Sequence, residues 1–98
     1  MSKIKVVAVI TAAPGVADLV ASALRKLVES TRTEAGCISY DLYRSDTIPD
    51  TFVTVESWRD QRAMELHGST AHVAEVTRQV EGHLAATPVI HILQEIPQ

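Results

Sequence analysis

The stretch Cys37-Ile-Ser-Tyr-Asp-Leu-Tyr-Arg-Ser-Asp-Thr-Ile-Pro-Asp-Thr-Phe-Val-Thr-Val-Glu-Ser-Trp58 decides the fold. Both of its ends alternate with period two and are rich in β-branched and aromatic residues, the pattern of strands. Asp46, Pro49 and Asp50 supply turn chemistry between them. The reading is a strand from Cys37 to Ser45, a turn, and a strand from Thr51 to Trp58, close enough in sequence to pair as a hairpin.

Working outward toward the N-terminus, Lys3 to Thr11 is a Val- and Ile-rich strand that is apolar on both faces, with Ile4, Val6, Ala8 and Ile10 on one and Val7 and Val9 on the other. Beyond Pro14 and Gly15, apolar residues recur at Val16, Leu19, Val20, Ala23, Leu24, Leu27 and Val28, the stripe of an amphipathic helix. Gly36 is expected in the left-handed conformation that ends such a helix, which places its last turn near Thr33. On the C-terminal side Asp60 is a plausible N-cap for a short helix through Leu66, and Gly68 interrupts it. Ser69 or Thr70 caps a continuation whose apolar positions Val73, Val76, Val80 and Leu84 carry it to about Ala85. Pro88 to Ile96 reads as the fourth strand.

The order strand, helix, strand, strand, helix, strand is a ferredoxin-like βαββαβ arrangement of the α+β class, an antiparallel sheet with its helices on one face. It takes residues 1–98 as one domain. Two helices cover only one face of the sheet, yet Val53 and Val55 lie opposite Phe52, Thr54, Glu56 and Trp58. A second copy of the same sheet is the simplest cover for the other face, so a homodimer is expected.

Composition narrows the function classes. Hydrophobic residues are 46% and charged residues 21% of the 98, an ordinary globular mixture. The formal charge of -3 comes without a clustered basic face, which argues against a nucleic-acid partner. Cys37 is the only cysteine, so an intramolecular disulfide and a multi-cysteine metal site are both ruled out, and a reducing cytoplasm fits best. The apolar run Lys3 to Ala13 is too short to span a membrane and lacks the flanks of a signal peptide. The four glycines are scattered and form no nucleotide-binding loop.

The chemistry-bearing residues lie between Glu34 and His72. Glu56 and Trp58 are two apart on one strand, so both leave the sheet on the same side. His67 and His72 flank the Gly68 break, and if Glu56 and Trp58 face the helices both imidazoles can approach them. A ligand pocket is expected there, between the sheet and the second helical region. Tyr40 and Tyr43 on the neighbouring strand serve packing or binding equally well. No metal site is expected, because two histidines five apart with no further nearby His or Cys match none of the common zinc spacings.

Three segments carry a family resemblance: Glu34-Ala-Gly-Cys-Ile-Ser-Tyr40-Asp-Leu, Phe52-Val-Thr-Val-Glu56-Ser-Trp58 and Leu66-His67-Gly-Ser-Thr-Ala-His72. With them the chain resembles the antibiotic biosynthesis monooxygenase superfamily over nearly its whole length. The first segment has Ala35 where the family pattern has proline, and Val73 stands where an aromatic residue often follows the last histidine. The resemblance implies a dimeric α+β barrel and a cofactor-independent monooxygenase that uses no flavin, haem or metal. Its substrates would be molecular oxygen and a small electron-rich aromatic compound such as a quinol or anthrone.

Such chemistry needs a base for a phenolic proton. Against a phenol reference near pKa 10, an unperturbed imidazole is mismatched by roughly 3.5 units, or about 5 kcal/mol, and a carboxylate by roughly 5.7 units, or about 8 kcal/mol. His67 is therefore the expected catalytic base and Glu56 the group that orients it. Burial beside Trp58 would reverse the two roles. Trp58, Tyr40 and His72 are the expected substrate contacts. A proton-transfer isomerase using the same pair and a non-catalytic dimeric ligand-binding module remain open. Haem degradation of the kind that needs a strand asparagine is disfavoured, because the chain contains no asparagine.

Overall fold

The computed structural model describes residues 3–98 and runs β1 (Ile4–Thr11), α1 (Ala17–Thr31), β2 (Cys37–Arg44), β3 (Thr51–Trp58), α2 (Gln61–His67), α3 (Ala71–Val80) and β4 (Val89–Leu93). The four strands form one sheet in the order β2-β3-β1-β4, and every neighbouring pair is antiparallel. This is the ferredoxin-like α+β fold expected from the sequence. The hairpin of β2 and β3 is in register from Ser39↔Ser57 to Arg44↔Phe52, with an irregularity between Cys37 and Ser39.

Strand alternation sorts the side chains by face. Phe52, Thr54, Glu56 and Trp58 are buried on β3, and Val6, Ala8 and Ile10 are buried on β1. They meet Val20, Ala23, Leu24 and Leu27 from α1 and Val76 and Val80 from α3 in a continuous core. Trp58 is completely buried, and its truncation to Ala would cost about 3–5 kcal/mol. On the opposite face Val7, Val9, Val53 and Val55 are only half-buried. Every residue of β4 is exposed, Ile90 and Ile92 among them.

The ends of two helices and the conformation of Gly36 differ from the sequence reading, each for a local reason, and β4 is shorter than the expected Pro88 to Ile96. α1 ends at Thr31, two residues early, in a turn where the Glu34 N–H donates to the Thr31 carbonyl at 3.0 Å. Gly36 does not adopt a left-handed conformation. Its missing side chain matters instead because a Cβ there would overlap the Ala63 Cβ of α2. α3 stops at Val80 rather than near Ala85, because Gly82 takes φ 78° and turns the chain back. Leu84 then forms an antiparallel bridge with Ala12, flanked by Ala13 N–H to His83 C=O at 2.8 Å and Ala85 N–H to Thr11 C=O at 2.9 Å. The apolar period through Leu84 reflects packing against the core rather than a longer helix. No helix among the described residues is long and apolar enough to cross a membrane.

Candidate functional site

The break between α2 and α3 is built by two caps. Asp60 Oδ1 accepts from the Ala63 N–H at 2.8 Å and opens α2, and this bond holds the Asp60 carboxyl below the usual carboxylate range. Thr70 opens α3: its hydroxyl accepts from Val73 N–H at 3.4 Å and donates to the His67 carbonyl at 2.8 Å. His67 is thereby fixed as the last residue of α2 and His72 as the second residue of α3.

Both imidazoles turn to one carboxylate oxygen. Glu34 Oε2 lies 2.7 Å from His67 Nδ1 and 2.7 Å from His72 Nε2. All three side chains are largely shielded, at 15%, 14% and 24% relative exposure for Glu34, His67 and His72. An ionised carboxylate only accepts hydrogen bonds, so it selects the forms in which His67 Nδ1 and His72 Nε2 carry the proton. In neutral His67 this leaves Nε2 as the free basic nitrogen. The sequence reading had assigned the orienting role to Glu56; the hydrogen-bond partner of His67 is Glu34.

Glu56 belongs to a separate network. Its Oε1 accepts from Trp58 Nε1 at 3.0 Å and its Oε2 from the Thr54 hydroxyl at 2.8 Å, and the residue is 5% exposed. Trp58 links the two networks, since the His67 ring lies over it at 4.7 Å between centroids with 38° between planes. Tyr40 completes the aromatic cluster at 5.5 Å from the His67 ring and 6.3 Å from Trp58. Burial, and next the charge of Glu56, push the Tyr40 phenol well above its ordinary pKa. Burial, followed by the charges of Glu34 and Glu56, also raises the Cys37 thiol, which disfavours a reactive thiolate.

Tyr40, Thr54, Glu56 and His67 border a cavity of about 1010 Å³ between the sheet and the helices. Val6, Ala8, Ile10, Leu24, Leu27 and Val76 contribute to its apolar walls. That volume is at the upper end of small-molecule sites. Trp58 is not among the lining residues; it is sealed behind His67 and Glu56. His72 does not border the cavity either and reaches it only through Glu34 and His67.

Glu34, His67 and His72 also form a group whose ligand-type atoms all fall within 4.8 Å of one another, close enough to converge on one cation. The third donor is what the spacing of the histidines did not reveal. In the structure described here the Glu34 oxygen serves both imidazoles by hydrogen bonds, and a cation would compete with those two protons.

The sequence profile described as antibiotic biosynthesis monooxygenase matches residues 3–79, most of the chain. The chain belongs to the antibiotic biosynthesis monooxygenase family. Solved structures resemble this chain over essentially its full length. The crystal structure of PA3566 from Pseudomonas aeruginosa is 36% identical with a TM-score of 0.90, covering 99% of this chain and 97% of that one. A crystal structure described as an antibiotic biosynthesis monooxygenase is 31% identical with a TM-score of 0.89, covering 96% and 99%. Rv0793 from Mycobacterium tuberculosis is 27% identical with a TM-score of 0.89, covering 99% and 98%. Among curated relatives, YcnE of Bacillus subtilis is 41% identical over 51 residues, 52% of this chain and 54% of that protein. The sll1783 protein of Synechocystis is 34% identical over 65 residues, 66% of this chain and 44% of its own length. The chain thus matches about half the length of these two curated relatives.

Proposed function

We propose that this member of the antibiotic biosynthesis monooxygenase family is a cofactor-independent monooxygenase acting on a quinol, an anthrone or a similar electron-rich phenol. The observation that carries the reading is the Glu34-bound His67 on the wall of a large apolar cavity. His67 Nε2 takes the phenolic proton, and Glu34 stabilises the imidazolium that forms. The electron-rich anion then reacts with dioxygen in surroundings that exclude water. For a quinol the balance is quinol plus dioxygen giving a hydroxylated quinone plus water. One oxygen atom enters the ring, the other leaves as water, and the quinol supplies all the electrons. The proton held by His67 returns as the O–O bond breaks.

Glu56 and Tyr40 supply the polar contacts to substrate in this reading, while Trp58 holds the plane of His67 and His72 shares the Glu34 charge. The working unit is a homodimer joined through the outer sheet face. Oxygen uptake with a panel of quinols and anthrones tests the activity, and a metal chelator should leave the rate unchanged. Substrate turnover without oxygen consumption would replace this reading with a proton-transfer isomerase.

A further inference from the structure

We propose that Glu56 makes the cavity selective for the reduced, hydroxyl-bearing form of its aromatic ligand over the oxidised, carbonyl-bearing form. The proposal rests on the quinol reading above and adds a means of separating substrate from spent product.

Glu56 is a 5% exposed carboxyl on the wall of an otherwise mainly apolar cavity. Among the described residues it has no ion-pair partner. Its donors are both on its own strand: the Trp58 indole N–H to Oε1 and the Thr54 hydroxyl to Oε2. An indole N–H can only donate, and two converging donors fit a carboxylate that accepts on both oxygens. A carboxylate has about four acceptor positions, so two donors leave capacity for another. Leaving a buried charged acceptor short of donors is costly, whereas a hydrogen bond to it is strong. A ligand hydroxyl facing Glu56 meets that need. A ligand carbonyl at the same place brings a second acceptor against the first and displaces any water without replacing its donor.

The geometry also separates this task from proton abstraction. The Glu34–His67–His72 network and the Glu56–Thr54–Trp58 network share no hydrogen bond and meet through ring contact between His67 and Trp58. A quinol has two hydroxyls. One can give its proton to His67 while the other donates to Glu56. Oxidation turns the second into a carbonyl, so the product, whose new hydroxyl sits on a different ring carbon, loses the donor facing Glu56 and is held less tightly.

The test is anaerobic calorimetry on the full chain with a dimethylnaphthoquinone whose quinonoid ring carbons are blocked against thiol addition, its two-electron-reduced quinol, and the dimethyl ether of that quinol. The wild type should bind the quinol roughly 10- to 100-fold more tightly than the quinone, the range expected for one hydrogen bond to a buried charge. The ether, which has no donor, should bind as weakly as the quinone. In Glu56→Gln the amide both donates and accepts, so the preference should shrink to within about threefold. Glu56→Asp keeps an acceptor-only group and should retain the sign of the preference. Equal binding of quinol and quinone by the wild type, or an undiminished preference in Glu56→Gln, overturns the role of Glu56 and leaves the quinol reading intact. If none of the aromatic compounds binds the wild type, the quinol reading falls and this proposal with it.

Discussion

Glu34 and His67 are 33 residues apart in the chain, yet Glu34 Oε2 stands 2.7 Å from His67 Nδ1. The contact follows from strand register. Cys37 is paired with Trp58, so the turn just before β2 and the helix just after β3 share one end of the sheet. The backbone holds that end together through Arg59 N–H to the Gly36 carbonyl at 2.8 Å. A carboxylate in the turn between α1 and β2 is thereby delivered to an imidazole at the end of α2.

If this pair does the chemistry proposed, His67→Ala should lower turnover on an accepted quinol by about 10²- to 10⁴-fold, the usual worth of a positioned general base. Glu34→Gln should retain His67 but lose control of its tautomer, giving a smaller loss. Nitrogen NMR of the imidazoles checks this without substrate: in the wild type, neutral His67 should carry its proton on Nδ1, and in Glu34→Gln that preference should weaken. Near-normal turnover in His67→Ala would mean that the base lies elsewhere.

The fold was legible because β3 keeps its period from Phe52 onward: Phe52, Thr54, Glu56 and Trp58 are buried while Val53, Val55 and Ser57 are half-exposed, and Thr51 at the start of the strand, buried as well, departs from it. The site was legible only in part. Glu56, Trp58, His67 and His72 could be grouped because strand periodicity and a glycine break lie within a short span. Glu34 could not, since its partners depend on which strand end the turn before β2 adjoins. The available signal was the pairing of Cys37 with Trp58, which a hairpin reading of Cys37 to Trp58 contains. It places Glu34 near whatever follows Trp58. Leu84 misled in the other direction, because a residue at helical spacing can fill the same core position from a strand-like bridge.

Gly36 offers a way to disturb the site from behind. A methyl group at this position overlaps the Ala63 Cβ, and Ala63 is itself buried on the helix that carries His67. Gly36→Ala should force α2 outward at a cost of about 1–3 kcal/mol, the ordinary range for overpacking. Thermal or chemical unfolding measures that loss. Turnover should fall along with stability, because the displacement moves His67 away from Glu34. A variant with unchanged stability would show that the loop yields without straining α2.

Tyr40 predicts an alkaline limit. Its folded-state pKa is raised by burial and by Glu56, so the folded chain holds the phenolic proton more tightly than the unfolded chain does. The resulting stabilisation is fully present below the ordinary phenol pKa and is lost as pH rises from there toward the raised value. Tyr40 and Tyr43 are the two tyrosines of the chain. In Tyr43→Phe, therefore, phenolate absorbance reports Tyr40 alone. That absorbance should appear only above the usual phenol range and should coincide with loss of the folded signal in circular dichroism. Ionisation at the ordinary phenol pKa with the fold intact would show that Tyr40 is not sealed in the core.

The outer face of the sheet sets the last expectation. Val7, Val9, Val53 and Val55 are half-buried there, and β4 adds Val89 at 50% and Leu93 at 46% exposure on the same side. These residues come from three adjacent strands, so the apolar surface is continuous across β3, β1 and β4. Contiguous apolar surface of this kind is normally covered in a soluble protein. A two-fold partner presenting the same face would cover it. Val53→Lys places a charge at the centre of that proposed contact without touching the cavity side of β3, where Phe52, Thr54 and Glu56 point. The expected result in light scattering is dissociation to monomer, or a dimer that forms only at much higher concentration. Because β4 is exposed along its whole length in a single chain, dissociation should also speed amide hydrogen exchange in Val89–Leu93. A Val53→Lys protein that stays folded, keeps the wild-type mass in solution and protects β4 as before would place the interface on another surface.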